Sequence, residues 1–164
     1  MNLVSSLFHE AHKLVVALPS AVPSTSTPRY VSLKNYSRMA AIIMVKNATT
    51  VTGSAITLKQ AKNVSAGSEK SLSFSTVQAC LDTADSSTGD TLTETAVSSD
   101  TFTTNSTNSK SLLYVINVDS TMLDVANGFD CVRVGTGDAT AATVTVLYIL
   151  YPVTGNPAPV AITN

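Results

Sequence analysis

The sequence predicts an all-β fold, an antiparallel β-sandwich of the jelly-roll-like kind, with a short N-terminal helix on a Pro-rich arm. Three observations predict it. The 164 residues include 21 serines and 23 threonines, and threonine favours strands because its branched Cβ suits a pleated surface. Short apolar or alternating runs recur from residue 30 onward, and no interior run has helical spacing. Seven to nine strands without an interior helix pack naturally as two sheets.

The first 28 residues are predicted to form an arm, with an amphipathic helix over residues 2–17 and then a linker. Pro19 ends the helix, and the stretch from Pro19 to Pro28 contains three prolines without periodicity. One apolar stripe at helical spacing is the candidate subunit-contact surface of this arm. It consists of Leu3, Val4, Leu7, Phe8, Ala11, Leu14, Val15 and Leu18. The helix either packs on its own domain or docks on a neighbouring subunit, and the residues favour neither.

Residues 29–152 are predicted to form the β-sandwich domain, and residues 153–164 a C-terminal tail. Strand patterns lie at residues 30–36, 40–45, 55–61, 71–77, 111–119, 129–134 and 141–151. The run from Ala40 to Val45 is apolar without a break, which predicts a central strand buried on both faces. Residues 82–110 are dominated by Ser, Thr, Asp and Asn. We expect a polar excursion on the solvent side, with at most two short strands around 92–97 and 101–103.

The charge pattern argues against nucleic-acid and membrane partners, and it leaves open whether opposite charges pair neighbouring subunits. The formal net charge is −1, which gives no support to nucleic-acid binding. Charged residues interrupt the apolar N-terminal stretch, which is too short to span a membrane, so no membrane partner is expected. Residues 1–62 carry a net +6 and residues 63–164 a net −7. Such separated signs can pair subunits head to side, unless folding interleaves the two halves.

The chemistry-bearing residues predict neither a cofactor nor a metal site. The chain has two cysteines, Cys80 and Cys131, and two histidines, and it lacks a Cys-x-x-Cys motif. Cys131 lies in an apolar strand pattern, where buried free thiols are common. We therefore expect both cysteines to be reduced and without a catalytic role.

The stretch from Leu123 to Gly137, "LDVANGFDCVRVGTG", is the densest in polar groups and Gly. It is interpreted as a structural turn and strand formed by Asn127, Gly128, Phe129, Cys131 and Arg133. Asn-Gly is a strong hairpin or tight-turn signal because both residues tolerate positive φ. In the following strand Phe129, Cys131 and Arg133 share one face.

The same stretch lacks the partners that an active site requires. A Cys nucleophile needs a His base, and both histidines, His9 and His12, lie in the predicted arm. Gly135-Thr136-Gly137 lacks the remaining residues of a phosphate loop and no helix follows it. Arg133 is expected to pair with one of three nearby carboxylates, which are those of Asp124, Asp130 and Asp138.

Three segments carry a resemblance to a known family: "YVSLKNY", "ITLKQAKNVSAGSEKSLSF" and "NVDSTMLDVANGFDCVRV" before an apolar final strand. Over about residues 30–151 they resemble small virion proteins of tailed bacteriophages, which serve as capsid decoration, cement or minor structural proteins. The element "LDVANGFDCVRV" is the most specific part, whereas the N-terminal helix and residues 82–110 lie outside the pattern. The resemblance implies a β-sandwich that binds the outside of an assembled shell, often as a trimer, and it implies no catalytic residues.

The leading functional hypothesis is therefore a non-enzymatic virion structural protein on the capsid surface, made in the host cytoplasm. Its expected partners are the major capsid protein and further copies of itself, a trimer being favoured. The alternatives are a tail-tube or head–tail connector subunit, or a carbohydrate-binding β-sandwich module. Sugar sites usually stack sugar rings on exposed aromatics, and this chain has no Trp and only 5% aromatic residues.

Overall fold

The structure, a computed structural model, describes residues 8–137 and 141–153, without the side chains of His9 and Glu10. This part of the chain forms two antiparallel sheets. The elements are the helix α1 (Phe8–Ala11) and the strands β1 (Lys13–Ala21), β2 (Val31–Ser32), β3 (Tyr36–Asn47), β4 (Ala55–Ala61), β5 (Lys70–Ser71), β6 (Thr76–Cys80), β7 (Thr93–Ala96), β8 (Thr101–Thr103), β9 (Ser111–Asp119), β10 (Cys131–Thr136) and β11 (Ala142–Pro152). Two short 3₁₀ helices, Ser120–Met122 and Val125–Asn127, lie between β9 and β10.

The strand pairs of the two sheets are nested along the chain, so that each outer pair encloses the next pair in sequence. The six-stranded sheet has the order β1-β11-β3-β9-β6-β7, and the five-stranded sheet has the order β2-β10-β4-β5, with β8 also pairing with β4. Thus β1 pairs with β11, β2 with β10, β3 with β9 and β4 with β5. The strands β6, β7 and β8 lie between β5 and β9 in the chain and extend this nested set at one side.

Both sheets contribute to one hydrophobic core. The six-stranded sheet supplies Tyr148, Met39 and Ile43, and the five-stranded sheet supplies Leu58 and Val132, all fully buried. The all-β prediction is confirmed, and a shared core between two antiparallel sheets is consistent with the predicted β-sandwich.

The helix predicted over residues 2–17 is wrong from Lys13 onward. There β1 pairs with β11, from Lys13 opposite Leu150 to Ala21 opposite Val144. β11 is a long apolar strand, and β1 gives its outer backbone edge hydrogen-bond partners, which outweighs the helical spacing of the apolar residues. The β-branched Val15 and Val16 also favour a strand.

Of the predicted arm stripe, Phe8 and Ala11 lie in the single turn of α1, whereas Leu14, Val15 and Leu18 lie in β1. The rest of the stripe, Leu3, Val4 and Leu7, lies outside the described residues. Pro19 is tolerated inside β1 because this strand is an edge strand with two register shifts. Beyond Val153, the predicted tail lies outside the described residues as well.

Two further predictions are only partly confirmed, namely the burial of the central strand and the hairpin at Asn127-Gly128. β3 is central, between β11 and β9, but it is not buried on both faces, since Met44 is 47% exposed. The strands on either side of Asn127-Gly128 do not form a hairpin, because β9 and β10 belong to different sheets. The tight turn itself is confirmed, with Gly128 at φ +82°. In the polar excursion, the two predicted short strands are confirmed as β7 and β8.

Candidate functional site

The outer face of the six-stranded sheet, which is turned away from the shared core, carries a set of neighbouring apolar side chains, with Thr145 and Asn117 as polar members of the same face. In β3, Met39, Ala41 and Ile43 belong to the core, and the residues that alternate with them point outward. The pairing register places the outward residues of neighbouring strands side by side. This outer patch consists of Leu14, Val16, Ala40, Ile42, Met44, Leu113, Val115, Leu147 and Ile149.

Three members of the outer patch are about half exposed, namely Leu14 at 51%, Val16 at 50% and Met44 at 47%. The others fill the space between them, as Ile42 does between Leu147 and Val115, its register partners on the two sides. The patch therefore runs across β1, β11, β3 and β9. Contiguous exposed apolar surface of this kind marks interaction sites in folded proteins.

Charged residues lie at the two ends of the outer patch and not in its centre. At one end Arg38 is paired in register with Tyr151 and Asp119, and at the other end Lys46 is paired with Thr143 and Ser111. The guanidinium of Arg38 lies 4.1 Å from the ring centroid of Tyr151. An apolar centre with a polar rim is the usual anatomy of a protein–protein interface.

A stack of rings fixes the start of β1 at this rim. The ring centroids of Phe8 and His12 are 5.0 Å apart, and those of His12 and Tyr151 are 4.7 Å apart. His12 is thereby held at the end of the six-stranded sheet, away from Cys131 in the five-stranded sheet. The structure gives Cys131 no His base from this residue, and the side chain of His9 is not described.

Arg133 pairs with Glu69, and the expected pairing with Asp124, Asp130 or Asp138 is wrong among the described residues. Its Nη2 donates to Glu69 Oε2 over 2.6 Å. Asp138 lies outside the described residues. Sequence spacing missed Glu69 because this carboxylate is 64 positions away and reaches Arg133 only through the pairing of β10 with β4.

The remaining carboxylates of the stretch are also held by local partners. Asp124 pairs with Lys70 and accepts two hydrogen bonds from Asn127, and these contacts lower the pKa of its carboxyl. Asp130 accepts a hydrogen bond from the Cys131 thiol over 3.0 Å. The two carboxylates thus have separate structural partners, and no contact brings them together as an acid–base pair.

Cys131 is held as a thiol. Burial raises the pKa of this thiol to about 12, and the adjacent Asp130 carboxylate contributes in the same direction. The thiolate is the nucleophilic form of cysteine, so this environment suppresses nucleophilic chemistry. Both Cys131 and Cys80 are buried and free.

Phe129 and Cys131 pack on the outer side of the five-stranded sheet, as the predicted alternation requires. Cys131 contacts Tyr30 and Ala61 in a small apolar cluster, and the Lys70 ammonium lies 4.1 Å from the Phe129 ring centroid. The intervening Val132 and Val134 lie in the shared core. The stretch from Leu123 to Gly137 therefore works as scaffold in this structure.

The outer patch is not predicted from the sequence, for a physical reason. Unbroken apolar runs such as Ala40–Val45 are typical of strands covered on both faces. Here the structure covers only one of those faces, and the same run leaves Ile42 and Met44 on an open surface. The unbroken apolar run is nevertheless a signal in the sequence. If the rest of the chain covers only one face of such a strand, the other face needs another partner.

No family model, curated protein or solved structure matches the chain. Within residues 8–137 and 141–153, no group of three or more His, Cys, Asp or Glu side chains is placed to hold a metal ion. The described part also contains no helix that is both long enough and apolar enough to cross a membrane.

Proposed function

We propose that this chain is a non-enzymatic structural protein of a tailed-bacteriophage virion, which binds the outside of the capsid lattice and stabilises it. Its partners are the major capsid protein and further copies of itself, with a trimer favoured, and it is made in the host cytoplasm. The proposal extends the family resemblance of residues 30–151. The observation that carries it is the outer patch, an apolar sheet face that the described part of the chain leaves uncovered.

The size of this face supports a stable contact. Four neighbouring strands spaced about 4.8 Å apart span roughly 19 Å, and the steps from Arg38 to Lys46 span roughly 27 Å, so the face measures about 520 Å². A partner that covers it removes about 1,000 Å² from the two surfaces together, which is the lower limit expected of a specific interface. Many copies on a regular lattice add avidity, and binding only to assembled shells stabilises them by mass action.

We further propose that the sandwich is a jelly roll. Its support is the nested pairing of the first strand with the last, the second with the second-last, the third with the third-last and the fourth with the fourth-last. Jelly rolls occur in viral capsid and lectin domains, so the fold favours both the virion hypothesis and the carbohydrate alternative. The scarcity of exposed aromatics favours the virion hypothesis, because Phe8 is the only exposed ring among the five tyrosines and four phenylalanines, all of which lie in the described part of the chain. Phe8 itself stacks on His12.

The test is binding to assembled shells that lack this protein. Wild-type protein should cosediment with the shells and raise their melting temperature. Met44→Glu places a charge among the apolar side chains of the outer patch, and we expect it to weaken binding at least about tenfold, since burying a carboxylate against an apolar partner is costly. Ser73→Glu adds the same charge at an exposed position outside the patch and should bind like wild type.

Unchanged binding by a folded Met44→Glu protein would show that the outer patch is not the shell contact. Wild-type protein that ignores shells but is retained by a glycan array would favour the carbohydrate-binding alternative. Circular dichroism and urea unfolding of each variant separate lost binding from lost folding.

A further inference from the structure

The two open sides of the sandwich carry opposite charge. They lie at the two edge strands of the six-stranded sheet, β1 and β7. Beside β1 is a groove of about 730 Å³, bounded by β1, residues 27–31 and residues near 64–66. Beside β7 is a cleft of about 700 Å³, bounded by β6, β7, β8 and the loops next to them. Both volumes lie in the range of side-chain and ligand pockets.

The groove beside β1, called the basic groove, is lined by three cations, Lys13, Arg29 and Arg133, and by no carboxylate among the described residues. Lys13 and Arg29 form no ion pair with any described side chain. Arg133 is partly neutralised by Glu69, but its buried Nε has no hydrogen-bond partner. The half-exposed side chains of Leu14 and Val16 complete the lining. The groove is therefore positive with an apolar wall.

The opposite side, called the acidic edge, consists of β7 and the segments around it. Between Lys70 and Lys110 the chain has no basic residue. The acidic residues in this interval are Asp82, Asp85, Asp90, Glu94 and Asp100. Of these, Asp82 pairs with Lys110, whereas Glu94 is exposed on β7 and forms no ion pair among the described residues. Two large apolar side chains stand beside them, Leu81 at 50% and Leu92 at 43% exposure.

We propose that the acidic edge of one copy docks in the basic groove of the next copy. The two surfaces are complementary in charge, and each offers two exposed aliphatic side chains to the other. Pairing of like edges would instead bring charges of the same sign together, which costs free energy. Folding preserves part of the charge separation between the two halves of the chain, since Lys13 lies on β1 and Glu94 on β7 at opposite edges of one sheet, although Lys59 of the first half pairs with Glu69 of the second.

This contact is heterologous, since it joins two different surfaces of the same protein. A heterologous contact either closes into a ring or continues as an open array. The inference goes beyond binding to a shell and does not depend on it, because only copies of this chain take part. The outer patch lies on the face of the same sheet and, apart from Leu14 and Val16, which the edge contact covers, remains free for a shell when the edges pair.

Analytical ultracentrifugation of the purified full chain tests the contact. We compare two double variants, each of which reverses charges at exposed or half-exposed sites. One carries Lys13→Glu and Arg29→Glu in the basic groove, and the other carries Asp90→Lys and Glu94→Lys at the acidic edge. Each double variant should weaken self-association at least about tenfold. The quadruple variant exchanges both signs and should reassociate, and so should an equimolar mixture of the two double variants. Raising the salt from about 0.05 M to about 0.5 M should weaken the wild-type contact, since it screens exposed charges.

The matched control is Lys34→Glu with Lys62→Glu, which changes the net charge as the groove variant does, at exposed sites outside the basic groove and the outer patch. It should associate like wild type. The proposal is overturned if wild type stays monomeric, if both reversals associate as wild type does, or if the folded quadruple variant stays dissociated. An oligomer that resists the edge reversals but is dissolved by Met44→Glu would overturn it too, by assigning self-association to the outer patch. Shell binding is measured separately, so failure of either proposal is distinguishable from failure of the other.

Discussion

Three side chains from separate segments converge on the carboxylate of Glu69. Lys59 Nζ donates to Oε1, and Tyr30 Oη and Arg133 Nη2 donate to Oε2, each over 2.6 Å. The cluster ties the segment before β2 and the loop before β5 to the outer side of β4 and β10. Charge-assisted hydrogen bonds of this kind are stronger than neutral ones. Neither the position nor the partners of Glu69 could be predicted from spacing, because they depend on strand register.

The Glu69 cluster predicts a pH dependence of stability. Burial raises the pKa of the Glu69 carboxyl, but hydrogen bonds from Lys59, Tyr30 and Arg133 outweigh it and lower the pKa to about 2. Because the folded pKa lies below the unfolded value of about 4.3, the contribution is complete above about pH 5 and is lost as the pH falls towards 2. Glu69→Gln should cost about 2 kcal/mol at pH 7 and flatten that acid limb.

Urea unfolding at a series of pH values measures this effect. Glu94→Gln is the matched control, since it removes an exposed carboxylate that forms no ion pair among the described residues. An acid limb that is equally steep in wild type and Glu69→Gln would contradict the role given to this cluster.

At the scale of single elements, strands were predicted well where long apolar runs define them, whereas the alternating residues 71–77 divide between β5 and β6 in different sheets. β9 and β11 coincide closely with their sequence patterns, since Val, Ile and Tyr favour a pleated surface, whereas β3 extends beyond its predicted run at both ends. β1 was missed because the sequence from Lys13 to Leu18 satisfies helical and strand spacing at once. The deciding factor is the free edge of β11, which lies more than a hundred residues away in the chain and is invisible locally.

The two faces of β1 predict different costs for the same substitution. Leu18 is 3% exposed and belongs to the shared core, whereas Leu14 is 51% exposed on the outer patch. Leu18→Ala should cost about 2–4 kcal/mol in free energy of unfolding, because it leaves a cavity. Leu14→Ala should cost less than about 1 kcal/mol, because its side chain is largely in water already.

Urea denaturation of the two variants provides the comparison, with each serving as the control for the other. Equal, small effects at both positions would mean that β1 is not part of the folded sheet, as an arm that docks only on a neighbour would require. Equal, large effects would mean that the outer patch is covered within the monomer.

At the scale of the whole molecule, the sequence predicts two antiparallel sheets but not the way in which they are connected. Strand patterns in the sequence predict roughly how many strands there are. They do not predict that β1 pairs with β11 and β2 with β10, because the paired residues lie far apart in the chain. The turn at Gly128 was predicted from its residue type, yet its role in moving the chain from one sheet to the other was not. The outer patch follows the same rule, because its exposure depends on which face the second sheet covers.

One hydrogen bond joins the two sheets through the core. Tyr148 of β11 is fully buried, and its hydroxyl accepts a hydrogen bond from the backbone N–H of Val134 in β10 over 2.9 Å. On that side of β10 the neighbouring strand β2 pairs only with Cys131 and Val132, so its ladder does not reach Val134. Tyr148→Phe keeps the ring but leaves a buried N–H without a partner. We expect it to cost about 1–3 kcal/mol in free energy of unfolding, since an unsatisfied buried donor keeps its full desolvation penalty.

Tyr151→Phe is the control for this prediction, because Tyr151 is only partly buried and its hydroxyl makes no hydrogen bond among the described residues. It should change the free energy of unfolding by less than about 0.5 kcal/mol. Hydrogen exchange should report the same link, with the Val134 amide losing protection in Tyr148→Phe more than its neighbours in β10 do. If the two Tyr→Phe variants unfold at the same urea concentration, the sheets are held together by apolar packing alone, and the bond between Tyr148 and Val134 contributes nothing measurable to their association.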